Sequence, residues 1–170
     1  SASRARPLPA SPTRRATTPA ESLCCTGAAT HATSGLPARA RTILDYGAGK
    51  GQQYLPLRIA DKDEGIEYSD IRSYWGVSEV RCYDPAYQPF TTLPSGKFDG
   101  VVCTDVLEHC PEEDIPWILG ELFGYAVSFV YANVACFPAR KRLPSGGNAH
   151  CTIRPVRWWE EQLEGPARLH

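Results

Sequence analysis

The 170-residue chain predicts an α/β fold, a mostly parallel sheet with flanking helices, from three observations. Short apolar runs at residues 42–46, 77–83 and 98–104 have strand character, and the stretches between them are long crossings, not hairpin turns. A helical stripe of Ile115, Ile118, Leu119, Leu122 and Phe123 separates the third run from a fourth at residues 127–137, the most strand-like in the chain. The first three runs lead into Gly47, Asp84 and Asp105, and ligands in such sheets sit beyond the carboxyl ends of the strands.

Residues 1–40 are expected to lie outside this domain. Thirty-one of them are Ala, Ser, Thr, Pro or Arg, none is aromatic, and their apolar spacing fits neither helix nor strand. Such a segment cannot bury enough surface to offset its ordering entropy, so a disordered segment at 1–40 and a domain at 41–170 are predicted. The charge divides at the same place, +4 for residues 1–40 and −5 for the remainder. An acidic domain lacks the basic face that neutralises phosphates, which argues against nucleic acid as a partner. No run approaches the roughly 20 apolar residues of a membrane helix, and the arginine-bearing N-terminus lacks the apolar centre of a signal peptide. The expected location is the cytoplasm, with no membrane association. An Arg-, Ser- and Thr-rich, acid-poor start also suits an organelle transit peptide, but its prolines spoil an amphipathic helix. The chain has no methionine and begins at Ser1, so a fragment, or a true start elsewhere, is expected.

Along the domain, the first strand at residues 42–46 passes through the glycine loop into a helix expected over 52–60, limited by Pro56 to an early-turn proline or a kink. Residues 61–74 are polar and predict an irregular excursion. The run at 77–83 ends in Asp84-Pro85. Residues 84–98 are too few for a further helix and strand, leaving at most a vestige near Phe90 to Leu93. After the strand at 98–104, Pro111, Glu112, Glu113 and Asp114 suit the first turn of the helix that carries the apolar stripe, where negative charge meets the positive end of the dipole. A basic, glycine-containing loop follows the fourth strand, and Trp158 opens a closing helix.

The chemistry concentrates in Asp45-Tyr-Gly47-Ala48-Gly49-Lys-Gly51. Glycine permits the sharp turn and lets backbone amides approach a ligand that a side chain would block. A dinucleotide fingerprint needs a glycine at position 52, which holds Gln52, and no P-loop lysine pattern is present. An acid followed by G-x-G-x-G resembles motif I of the class I S-adenosylmethionine-dependent methyltransferases. The tract Phe98-Asp-Gly-Val-Val-Cys-Thr104-Asp105-Val106-Leu-Glu-His109 resembles the fourth-strand region of the small-molecule members of that superfamily. The resemblance covers about residues 41–163 and implies a Rossmann-like sheet, S-adenosyl-L-methionine as cofactor, and in-line methyl transfer to a small-molecule acceptor. It implies that Asp45, Gly47, Ala48, Gly49 and Gly51 surround the methionine moiety. Asp84, with Pro85, would hold the ribose, and Thr104, Asp105 and Val106 would border the adenine and the transfer site. The superfamily also closes its sheet with a C-terminal antiparallel hairpin, which is missing here. Without it residues 127–137 would form an exposed apolar edge, open to self-association.

A base is needed only where the acceptor is a hydroxyl or a protonated amine, and His150 and His109 are the candidates. Arg140, Lys141, Arg142, Arg154 and Arg157 could bind an anionic group on the acceptor, or form a solvated surface. Seven cysteines include no C-x-x-C pair. The pairs His109-Cys110 and His150-Cys151 could converge on a metal, but adjacent ligands are unusual and buried free cysteines are ordinary core residues, so no metal is expected. Three alternatives stay open. One is a non-catalytic or decayed binding module of the same fold. Another is a nucleic-acid amino-methyltransferase, through the likeness of Asp84-Pro-Ala-Tyr87 to a D-P-P-Y motif. The third, an oxidoreductase, is disfavoured by Gln52.

Overall fold

A computed structural model of the chain describes residues 23–24, 40–56, 58–60 and 65–167. Its centre is a parallel sheet made by β2 (Thr42–Tyr46), β5 (Glu79–Tyr83), β6 (Phe98–Thr104) and β7 (Ala126–Asn133). A two-residue strand, β1 (Leu23–Cys24), adds to one edge, giving the order β1-β7-β6-β2-β5 with every pairing parallel. The fold is α/β, a Rossmann-like parallel sheet flanked by helices. Because β5, β2 and β6 are adjacent and parallel, their carboxyl ends lie along one side of the sheet.

Alternation along the strands sorts the core onto two faces. Leu44, Val101, Cys103, Val130 and Ala132 join the apolar face of α2 (Ile115–Tyr125) in the larger cluster. All five residues of the expected stripe, Ile115, Ile118, Leu119, Leu122 and Phe123, are buried there. The last helix, α3 (Val156–Ala167), closes this face with Trp159, which is fully buried. Truncating a buried leucine such as Leu119 to alanine costs about 2–5 kcal/mol, which makes this layer the main source of stability. The other face holds Ile43, Val77, Val102 and Phe129, with Trp75 packed against them. Gly100 admits the Phe129 ring, whose nearest atom lies 2.1 Å from where a Cβ would stand.

The entrance of the sheet is pinned by Asp99. One of its carboxylate oxygens accepts from the backbone amides of Arg41 and Thr42 at 2.7 and 2.9 Å, and from the Thr42 hydroxyl at 3.2 Å. These bonds hold the Asp99 carboxyl below the usual carboxylate range.

Two expectations need correction. The helix expected over residues 52–60 is a single 3-10 turn, Gln52–Tyr54, followed by the short strand β3 (Ile59–Ala60). Pro56 removes a backbone donor just where the second turn would form, and Gly51 and Leu55 bracket the turn in left-handed and extended conformations. The excursion at 61–74 is also less irregular than expected. β3 pairs antiparallel with β4 (Glu67–Tyr68), and a helix, α1 (Ile71–Trp75), begins at an Asp70-Ser73 capping box. The vestige near Phe90 is a 3-10 turn, Gln88–Phe90. At the N-terminus, Ala40 is buried in the core and β1 pairs with Ala132 and Asn133, so the outer edge of β7 is covered at its carboxyl end. The other residues of 1–39 lie outside the described residues. Among the described residues no strand follows α3, and no helix is long and apolar enough to cross a membrane.

Candidate functional site

The glycine loop leaves β2 in a tight turn whose three glycines have φ of 86°, 56° and 64° at Gly47, Gly49 and Gly51. All three lie in the left-handed region, where a Cβ costs about 1–2 kcal/mol. Gly47 and Gly51 are also steric requirements. A Cβ on Gly47 would stand 2.3 Å from Val106 Cγ2, and one on Gly51 would stand 2.9 Å from the Phe90 ring. The loop therefore touches both neighbouring strand ends, the one after β6 through Val106 and the one after β5 through Phe90.

Hydrogen bonds fix the same arrangement. The amides of Gly47 and Ala48 donate to the Tyr83 carbonyl at 2.8 and 3.0 Å, and the Gly51 amide donates to Ala48 at 3.0 Å. Asp84 turns one carboxylate oxygen to the Gly49 amide at 2.7 Å and the other to the Ala86 amide at 2.8 Å. Each oxygen keeps a second lone pair, so Asp84 can hold the loop and still accept from a ligand hydroxyl. Pro85 is exposed beside it, and the Tyr87 ring packs edge-on against Phe90 with centroids 5.3 Å apart.

Asp45 is buried at the end of β2, only 5 % exposed, and a single oxygen accepts from Gln53 Nε2 at 2.8 Å and the Tyr54 hydroxyl at 2.7 Å. Burial pushes its carboxyl above the usual range, and the bonds from Tyr54 and Gln53 oppose that rise. Tyr54 in turn is raised by its own burial and by the Asp45 charge. Gln53 and Tyr54 were not read from the sequence as partners of Asp45. The signal lay in their spacing, since the single turn after the glycines brings residues eight and nine positions on back over the strand end.

Beyond β6, Thr104 and Asp105 are exposed and Val106 is half-buried against the loop. Asp105 has φ 55°, the one non-glycine residue among those described with positive φ. Its amide donates to the Asn133 carbonyl at 3.0 Å, and Asn133 Nδ2 donates to Asp105 Oδ1 at 3.3 Å. The chain is thus turned sharply out of β6 and tied to the end of β7.

The turn after Val106 presents Glu108 and His109, and the segment after the basic loop is zipped to it. The Glu108 carbonyl accepts from the amides of Cys151 and Thr152 at 2.8 and 3.0 Å, and the Thr152 hydroxyl donates to the Cys110 carbonyl at 2.7 Å. This brings His109 and His150 edge to face with ring centroids 4.8 Å apart. Nδ1 of His109 donates to the Ala149 carbonyl at 2.8 Å and Nδ1 of His150 to the Phe137 carbonyl at 2.6 Å. A carbonyl only accepts, so in each neutral ring the lone pair is on Nε2. The cysteines of the two His-Cys pairs turn elsewhere. Cys151 Sγ donates to the His109 carbonyl and Cys110 Sγ to the Val106 carbonyl. Burial, with the neighbouring Cys151, pushes the Cys110 thiol up to about 11.

Glu108 was not singled out from the sequence, because a charged residue between Leu107 and His109 reads as solvated. It is in fact fully buried. Oε1 accepts from the Ala135 amide at 3.1 Å, and Oε2 has no hydrogen-bond partner. Burial raises its carboxyl above the ordinary value. Two of the cationic side chains expected to meet an anionic acceptor are engaged instead. Arg154 makes a two-nitrogen contact with Glu112 at 2.8 and 2.5 Å, and Arg157 pairs with Glu161 at 3.1 Å.

The loop contacts both Asp84 and Val106, and Asp45 lies two residues before Gly47. His109 and His150 meet each other at the end of the same β6 tract. No family model matches the chain, and no curated protein or solved structure matches it.

Proposed function

We propose that the protein binds S-adenosyl-L-methionine and transfers its methyl group in line to a small-molecule acceptor. The observation that carries this reading is the contact of three strand ends. A left-handed glycine loop after β2 is held by Asp84 after β5 and packs on Val106 after β6. A cofactor with a charged sulfonium, a ribose and a purine needs separate walls, and ligands of parallel α/β sheets lie beyond the carboxyl ends of their strands. Asp84 retains lone pairs for the ribose hydroxyls. The catalytic contribution of such a site is mainly alignment of donor and acceptor, with the Nε2 lone pairs of His150 and His109 available where the acceptor must lose a proton.

A second reading, a binding module without transfer activity, is favoured by Asp45. In the superfamily that the chain resembles, this acid works beside the methionine moiety, whereas here Gln53 and Tyr54 already occupy one of its two oxygens. Calorimetric titration with S-adenosylhomocysteine tests binding, and a screen of pooled metabolites with S-adenosylmethionine, read by mass spectrometry for the gain of one methyl, tests transfer. Binding with transfer supports the enzyme, binding without transfer supports the module, and well-folded protein that binds nothing overturns both.

A further inference from the structure

We propose that Glu108, His109 and His150 bind a divalent transition-metal ion through one carboxylate oxygen and two imidazole Nε2 atoms. One ligand atom from each residue lies within 4.8 Å of the other two. Bonds of about 2.1 Å at near-tetrahedral angles set ligand atoms about 3.4 Å apart, so closure needs a movement of no more than about 1.4 Å. His109 is exposed and His150 half-buried, and their rings can supply that movement.

Three features set the cluster apart from a chance meeting of polar side chains. The first is the orphaned Glu108 Oε2, a buried carboxylate oxygen with no hydrogen-bond partner. Such an atom costs about 1–3 kcal/mol when left unmade, more when charged, and a cation removes that cost. The second is that both rings donate Nδ1–H to backbone carbonyls, the outer-shell arrangement that fixes tautomer and orientation in metal-ligating histidines. The third is the double backbone contact of the Glu108 carbonyl with residues 151 and 152, which fixes the two halves of the site against each other.

Two imidazoles and one carboxylate suit zinc, iron, cobalt or nickel in the divalent state, with positions left for water, and are a poor match for calcium or magnesium, which prefer oxygen. The cysteines are not ligands in this arrangement, since Cys110 and Cys151 point their sulfurs at backbone carbonyls. Ligation would use the Nε2 lone pairs, so an occupied site would act through the ion and not through free histidine bases.

The test is titration of the full chain, stripped with chelator, with zinc and with cobalt, followed by calorimetry and visible absorption. His150→Ala and His109→Ala are expected to lose one equivalent of zinc or to weaken it by at least about 10–100-fold. Cys151→Ser is expected to bind as the unaltered chain does, and the cobalt spectrum to lack thiolate charge-transfer bands. Equal binding by the unaltered chain and by folded His150→Ala overturns the proposal. So does loss in Cys151→Ser with retention in the histidine variants. Glu108→Gln is a further arm, and its folding is checked by circular dichroism because its carboxylate also accepts from Ala135. Should that variant fail to fold, the two histidine variants decide the question.

Discussion

The two ends of the candidate site use acids in opposite ways. At the glycine loop, Asp45 and Asp84 are each bonded by two groups of the protein, and those bonds shape the loop. At the histidine end, the fully buried Glu108 accepts one backbone bond at Oε1, and its buried Oε2 accepts none. A carboxylate held by two donors of its own chain is a structural device, while a buried one with a single bond in a cluster of nitrogen lone pairs waits for a partner. Burial alone does not separate a scaffold acid from a binding acid, and the hydrogen-bond account does.

The largest effect expected is at the loop. Gly47→Ala combines a left-handed φ with a Cβ 2.3 Å from Val106, and should cost about 2–4 kcal/mol by urea unfolding. Gly49→Ala carries the φ penalty with open space around it, and should cost about 1–2 kcal/mol. Equal costs would break the claim that the loop is wedged against the end of β6. Asp84→Ala removes the acceptor of the Gly49 and Ala86 amides and should cost about 1–3 kcal/mol, with at least a tenfold loss of S-adenosylhomocysteine affinity. Unchanged affinity would confine Asp84 to the scaffold.

Tyr54→Phe leaves Asp45 with Gln53 alone and should cost about 1 kcal/mol. The pH dependence sharpens the contrast further. Asp45 is raised above its ordinary 3.8, so its contribution is present below that value and is lost as pH rises through its folded pKa. Asp99 is lowered, so its contribution is present above 3.8 and is lost as pH falls through its folded pKa. Unfolding midpoints followed from acid to neutral pH should therefore lose a falling component in Asp45→Asn and a rising one in Asp99→Asn. Changes of the same sign in both would contradict the assignment.

How much of this was legible in the sequence depends on which residues carried the signal. The strands at 42–46 and 98–104 are short apolar runs buried on both faces, and the stripe from Ile115 to Phe123 has the helical period of about three and a half, so burial followed from pattern. The glycine loop was legible because alternate glycines have few other uses. The helix expected after it was not there, since the reading of residues 52–60 gave Pro56 less weight than the usual succession of strand and helix. Asp84 was found as an acid at a strand end, while its bond to Gly49 depends on a turn the sequence does not spell out. Glu108 escaped entirely, because its burial comes from residues 135 and 150–152 closing over it, contacts more than 25 positions away in sequence.

The most direct test of the central claim is a two-dimensional amide spectrum of nitrogen-labelled protein titrated with S-adenosylhomocysteine. The account predicts saturable shifts at Gly47, Gly49, Gly51, Asp84 and Val106, with the Leu119 amide unmoved. A spectrum of folded protein that does not change, or that changes only at residues remote from the loop, would contradict it.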